Sequence, residues 1–154
     1  MPLIEIVTDS KSKSQLNKMI NKKIIDDCEV IYIKDKNIEN TKNIKLETLI
    51  INSKIENYEI LNKILGNAKN VIVNIDLNED IRKDKNIITY GYSSKSDITI
   101  SSVEENQILI CIQNTIISKY NRKIDPQEVK VNIKSDTNIY NIMLIIALTI
   151  LYTR

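Results

Sequence analysis

Short apolar runs rich in isoleucine and valine dominate the first ninety residues of the chain. Five of these runs have the length of β-strands, at residues 3–8, 29–34, 48–52, 70–74 and 86–90. Residues 10–14 have the polar composition of a turn and helix cap, and Leu16, Met19 and Ile20 at helical spacing predict a helix that runs to about Asn21. The same spacing predicts an amphipathic helix over residues 58–65, with Gly66 as its C-cap. Strands separated by helices are typical of a mostly parallel sheet that is buried on both faces and flanked by helices.

The pattern changes near residue 97, where apolar and polar residues begin to alternate. Three segments with this period of two, at residues 97–103, 107–113 and 128–133, predict a small antiparallel sheet. A last helix begins near Thr137 and runs through Ile150, and it is apolar on nearly every side. Such a helix must be buried all round, either by the rest of its own domain or by another chain. With no repeat and no linker, we expect one α/β domain over residues 1–154.

Composition narrows the classes of function. The 22 basic and 20 acidic residues give a net charge of +2, which indicates neither nucleic acid nor an anionic membrane as a partner. The absence of histidine removes the commonest metal ligand and general base, and two glycines are too few for a glycine-rich phosphate loop. Cys28 and Cys111 lie in apolar stretches, as reduced thiols do in cytoplasmic proteins. The apolar run at 142–152 is too short to span a bilayer, and no signal peptide precedes it, so we expect a cytoplasmic protein without a membrane partner.

Five segments resemble the central ATPase domain of the Mur ligases. The opening segment PLIEIVTDSKSKSQ, at residues 2–15, is similar to that family's motif P-x-I-x-V-T-G-T/S-N-G-K-T-T, with Lys13 and Ser14 at its Lys and Thr. Further similar segments follow in the family's order: LIINSKIEN at 49–57, VIVNID at 71–76, IITYG at 87–91 and NIYNIMLIIA at 138–147. The resemblance covers nearly the whole chain and implies a fold of the P-loop NTPase type.

The chain departs from the family at its phosphate loop. Such a loop aims backbone N–H groups at phosphates, and its glycines permit the close approach. Asp9 and Ser12 stand where the family has glycines, and Asp9 adds a negative charge. We therefore expect that residues 9–14 do not form a phosphate-cradling loop.

The family's metal ligands are also replaced. Tyr32 falls near its metal-binding Glu, and Asn57 stands at its metal-binding His. The family's carbamylated Lys corresponds to Asn62, with Lys63 one residue away. Glu56 remains as a single carboxylate, which does not make a metal site. Without a metal, the positive charge that phosphoryl transfer requires is missing.

The resemblance implies a vestigial nucleotide site formed by Lys13, Ser14 and Asn141, the last at the position from which the family binds adenine. We interpret the chain as a non-catalytic, degenerate module without a cofactor, linked to peptidoglycan precursor metabolism and acting through a protein partner or as a homo-oligomer. One alternative is a sensor that binds a nucleotide or UDP-sugar without turnover. Another is a ligase dependent on ATP and Mg²⁺ that a partner completes, which needs Lys13, Ser14, Glu56 and Asn141 together. The fold alone does not decide among these hypotheses.

Overall fold

A computed structural model describes residues 1–25, 27–81 and 86–154, which form a mixed α/β structure. The strands of these ranges are β1 (Leu3–Val7), β2 (Glu29–Ile33), β3 (Leu46–Ile51), β4 (Ala68–Asn74), β5 (Ile87–Tyr90), β6 (Ile98–Val103), β7 (Gln107–Ile112), β8 (Ile116–Ile117), β9 (Lys123–Ile124) and β10 (Gln127–Asn132). The helices are α1 (Ser10–Met19), α2 (Tyr58–Gly66) and α3 (Ile139–Leu151), and a 3₁₀ helix spans Asp35–Thr41.

Eight strands form one sheet in the order β10-β7-β6-β5-β4-β3-β1-β2. Every neighbouring pair from β2 to β6 is parallel, whereas β6 pairs with β7 and β7 with β10 in antiparallel fashion. The prediction of a mostly parallel sheet flanked by helices is therefore confirmed.

The alternating segments after residue 97 do form antiparallel strands, but these do not make a sheet of their own. They extend the main sheet, because β6 joins β5 through one parallel pair, Tyr90 opposite Ile98. The separate antiparallel sheet consists of β8 and β9. Neither was predicted, since a strand of two residues is too short to show a periodicity.

Helices cover both faces of the parallel strands. Ile4, Ile6 and Ile50 belong to a core shared with α1 and α3, whereas Val7 and Leu49 belong to a second core beneath α2 and the 3₁₀ helix. Most of α3 is buried in the first core by its own domain, and only a stripe of the helix is half-buried. The first of the two outcomes expected for the apolar helix, burial by its own domain, thus applies to most of its surface.

Polar side chains mark the starts of the three α-helices. Asp9 caps α1, Asn57 caps α2 and Asn138 caps α3, each through a side-chain oxygen that accepts a hydrogen bond from a backbone N–H of the first turn. The prediction for Gly66 is wrong: it is the last residue of α2, and Asn67 is the C-cap. In the described part of the chain, no helix combines the length and the apolar character needed to cross a membrane.

Candidate functional site

The order β2-β1-β3-β4-β5 contains a topological switch point between β1 and β3. The chain leaves β1 for β2 on one side and returns to β3 on the other. In sheets of this order, ligands bind in the crevice at the carboxyl ends of the strands at this point. Thr8 follows β1 and Asn52 follows β3, so their side chains flank the crevice. This edge of the sheet is the candidate functional site.

Hydrogen bonds between buried side chains bridge the crevice. The Asn52 Nδ2 donates to Thr8 Oγ1 at 3.0 Å and to Asn141 Oδ1 at 3.1 Å. Its Oδ1 accepts a hydrogen bond from the Tyr90 hydroxyl. Complete burial raises the pKa of Tyr90, so this hydroxyl keeps its proton and remains a donor. One amide thus joins β1, β3, β5 and α3.

Asn141 is fully buried, and both the oxygen and the nitrogen of its side-chain amide form hydrogen bonds within the protein. While its oxygen accepts from Asn52, its Nδ2 donates to Gln15 Oε1 at 2.9 Å. The same Gln15 oxygen accepts from the backbone N–H of Asn138 at 3.3 Å. These contacts join α1 to the start of α3 and engage both the oxygen and the nitrogen of the Asn141 amide.

A second cluster at the same edge is built around Asp76, which follows β4. Its carboxylate accepts from the backbone N–H groups of Tyr92 at 2.7 Å and Ser93 at 3.1 Å, and from the Tyr140 hydroxyl at 2.9 Å. Gly91 has a φ of +151°, and a Cβ there would lie 2.6 Å from an Asp76 oxygen, so the turn requires glycine. Burial and the Asp76 carboxylate raise the pKa of Tyr140 to about 12. The carboxylate organises a turn and accepts three hydrogen bonds in doing so.

The segment predicted not to cradle a phosphate begins a helix. Asp9 Oδ1 accepts from the Ser12 N–H at 2.7 Å, and Ser10 to Ser14 lie within α1. Ser14 is exposed. Lys13 is also exposed, with its Nζ 5.7 Å from the centroid of the Tyr32 ring. Of the three proposed nucleotide-site residues, the structure places Lys13 and Ser14 at the surface and Asn141 in the buried network.

A cleft of about 570 Å³ lies at the carboxyl ends of β1 and β2. Lys13, Lys34 and Lys36 line it together with Asp9 and Asn37. Three lysines around one concave surface attract anions, and the Asp9 carboxylate in the same lining partly offsets their charge. The cleft is suited to non-covalent binding of an anion.

Of the residues that the resemblance aligns with the metal ligands of the Mur ligases, Asn57 caps a helix and Asn62 lies exposed at the surface. Asn57 Oδ1 accepts from the Ile60 N–H at 3.2 Å as the cap of α2. Glu56, Asn62 and Lys63 are exposed. Within residues 1–25, 27–81 and 86–154, no three His, Cys, Asp or Glu side chains are grouped so that they could hold a metal ion.

The sequence pattern did not single out Thr8, Gln15 or Tyr90 as site residues. One local signal was present, because Asn52 and Tyr90 each end an apolar run, where a parallel strand places its last side chain at the carboxyl edge of the sheet.

The comparison of this chain with models of protein families finds no match, and neither does the comparison with curated proteins.

Proposed function

We propose that this protein is a non-catalytic binding module, a degenerate relative of the central domain of the Mur ligases, that acts through a protein partner or a second copy of itself. The bridged crevice is the observation that carries this proposal. A nucleotide at the switch point would have to displace the hydrogen bonds of Asn52 with Thr8 and Asn141, all of which are buried. Leaving such groups unpaired costs about 1–3 kcal/mol each.

The start of α1 supports the same proposal. Free N–H groups and the helix dipole make a helix N-terminus attractive to phosphate. Here the Asp9 carboxylate already accepts from the Ser12 N–H, and its negative charge opposes a second anion at that position. The resemblance directs the search for a partner to peptidoglycan precursor metabolism.

The lysine-lined cleft favours a second candidate function, a sensor that binds a nucleotide or UDP-sugar without turnover. Lys13, Lys34 and Lys36 would hold the phosphates on the β2 side of the bridged crevice, in a cleft that Thr8 also lines. Bound in this way, the ligand would be recognised by its charge.

Thermal denaturation and isothermal titration with ATP, ADP and a UDP-sugar, each with and without Mg²⁺, test both functions. Ligand at one hundred times its Kd stabilises the native state by about 2.7 kcal/mol, so binding raises the melting temperature. For the non-catalytic module we expect no shift and no release of phosphate from ATP. Hydrolysis of ATP that depends on Mg²⁺ would overturn the proposal.

Variants of α1 separate the two candidates. Lys13 lies in the cleft, whereas Lys18 lies near the other end of the same helix and outside the cleft. The sensor function would replace the proposed function if a nucleotide or UDP-sugar binds in the submillimolar range, Lys13→Ala abolishes this binding and Lys18→Ala preserves it. Equal behaviour of both variants, without a ligand-induced shift, supports the module.

A further inference from the structure

The strand β10 forms one edge of the eight-stranded sheet. It pairs with β7 on one side, and no other strand of the described ranges pairs with its outer side. The backbone N–H of Ile133 donates to Asn106 of the β7 hairpin at 2.9 Å, so Ile133 directs its backbone groups inward. In an antiparallel strand this direction alternates from one residue to the next. Glu128, Lys130 and Asn132 therefore direct their N–H and C=O groups to the open edge.

The side chains of β10 divide between the two faces of the sheet. Val129 and Val131 are half-buried against the core under α1 and α3. Glu128 and Lys130 are exposed on the opposite face, where Glu128 accepts a hydrogen bond from the Ser101 hydroxyl at 3.2 Å. One acidic and one basic side chain thus alternate with valines along an unpaired edge.

The charges of Glu128 and Lys130 favour one register of antiparallel pairing with a second copy over the others. Outward-directed residues must lie opposite outward-directed residues of the other strand. Glu128 opposite Glu128, or Lys130 opposite Lys130, places like charges together, which is destabilising. Lys130 opposite Asn132 leaves Glu128 beyond the end of the partner's strand. Among the residues of β10, only Glu128 opposite Lys130 joins opposite charges, and a two-fold axis produces that pair twice.

Pro126, which precedes the strand, has no N–H and so interrupts the outward row of donors at this end. Charged residues and proline normally protect an edge strand from indiscriminate pairing. Here the charged residues and Pro126 disfavour the other registers, and the register with Glu128 opposite Lys130 remains. The opposite edge, β2, directs the backbone groups of Val30 and Tyr32 outward and has no such pair of charges to select a register.

We propose that β10 is a homodimerisation edge, on which a second copy pairs antiparallel with Glu128 opposite Lys130 of the partner subunit. The two sheets become one continuous sheet, and each Val129 lies at the two-fold axis. The contact is isologous, as in most homodimers. This inference rests on the proposed function, because it names a second copy as the partner of the module.

A groove beside the edge adds apolar surface to the contact. It has a volume of about 460 Å³ and lies between α1, α3 and β10, with Met19, Val131, Ile133 and Ile145 among its half-buried lining. A strand added outside β10 passes Val131 and Ile133 on the side that β7 does not cover. The proposed contact is stabilised by backbone hydrogen bonds, by two ion pairs and by partial burial of Val131 and Ile133.

Sedimentation of the full chain from micromolar to millimolar concentration measures the association. We expect a dimer of twice the 17.8 kDa chain mass. Glu128→Lys and Lys130→Glu each place like charges opposite one another in both pairs, and each should raise the dimer Kd about tenfold or more. The double reversal Glu128→Lys with Lys130→Glu restores both pairs and should return the Kd to the wild-type value. Circular dichroism checks that every variant folds.

A cysteine at the axis tests the register. In a non-hydrogen-bonded pair the Cα atoms lie about 4.5 Å apart, within the range of a disulfide. In a background with Cys28→Ser and Cys111→Ser, Val129→Cys should form an intermolecular disulfide on oxidation. Val131→Cys is the matched control and should remain largely unlinked, because Val131 lies opposite Gln127 of the partner.

Three results would overturn the inference: a monomer at millimolar concentration, a dimer whose Kd does not respond to the charge reversals, or preferential cross-linking of Val131→Cys. The nucleotide titration distinguishes this failure from failure of the proposed function. A monomer that binds no nucleotide removes only the dimer, whereas hydrolysis of ATP removes the proposed function whatever the oligomeric state.

Discussion

The parallel strands β1 to β5 and the antiparallel strands β6, β7 and β10 belong to one sheet but are covered differently. The parallel strands have α1 and α3 on one face and α2 with the 3₁₀ helix on the other. The antiparallel strands pack on the α3 side and leave Val103, Glu128 and Lys130 exposed. A parallel connection needs a crossover, usually a helix that covers the sheet, whereas a hairpin needs only a turn.

The two regions also differ in whether their polar groups are paired within the chain. In the parallel half, Asn52, Asn141 and Tyr90 are buried and satisfy one another. In the antiparallel extension, Glu128 and Lys130 lie on the surface beside unpaired backbone groups. Side chains of the chain itself bridge the crevice between the carboxyl ends of β1 and β3, where sheets of this order commonly bind ligands. The outer side of β10, by contrast, is suited to pairing with another strand.

The largest effect we expect is on the core of the parallel half. Ile50→Ala removes a fully buried side chain and should lower the free energy of unfolding by about 2–5 kcal/mol. Val131→Ala in the extension removes a half-buried side chain and should cost about 1 kcal/mol. Urea denaturation of both variants, at a concentration where the protein is monomeric, makes the comparison. Equal losses would show that the extension is packed as tightly as the parallel half.

A somewhat smaller effect should follow from opening the bridged crevice. Asn52→Ala leaves Thr8, Tyr90 and Asn141 each without a partner at the site of the lost amide and should cost about 2–3 kcal/mol. Asn62→Ala, at an exposed position of α2, is the matched control and should change stability by less than about 0.5 kcal/mol. A loss for Asn52→Ala no greater than that of the control would mean that the network does not hold the crevice closed.

The smallest effect is a pH dependence that arises from Glu5. This residue of β1 is fully buried, and burial raises its pKa, although the nearby Thr41 hydroxyl partly opposes the rise. The folded state therefore retains the proton more tightly than the unfolded state. Stability should fall as pH rises from about 4.5 towards the higher folded-state pKa, by at most about 1.4 kcal/mol per pH unit.

Glu5→Gln removes the titrating group and should flatten this part of the stability profile, with the variant more stable than wild type at the upper end of the window. Glu105→Gln is the control, because Glu105 is exposed and lies outside the β10 edge, and its profile should follow that of the wild type. Urea denaturation at a series of pH values provides the measurement. A profile for Glu5→Gln with the wild-type slope would place the source of the pH dependence in other groups.

The sequence by itself determined where most elements of this protein lie. Apolar runs predicted β1 to β5, and alternation predicted β6, β7 and β10, because these signals are local and extend over five or more residues. The helices were found for the same reason, but α1 already begins at Ser10, within the polar segment that was expected to form a turn and cap. The strands β8 and β9 were missed because two residues cannot show a periodicity, and the 3₁₀ helix over Asp35–Thr41 was missed because Ile38 is its single apolar residue.

Only the tertiary structure decided how these elements are arranged. The order of the strands, the single pair of Tyr90 with Ile98 that joins the two halves, and the edge position of β10 have no local signal. The same holds for the bridged crevice, where Asn52 contacts residues 38 and 89 positions away along the chain. Which polar side chain meets which depends on how the strands are ordered and packed, and a periodicity within one segment carries no information about that.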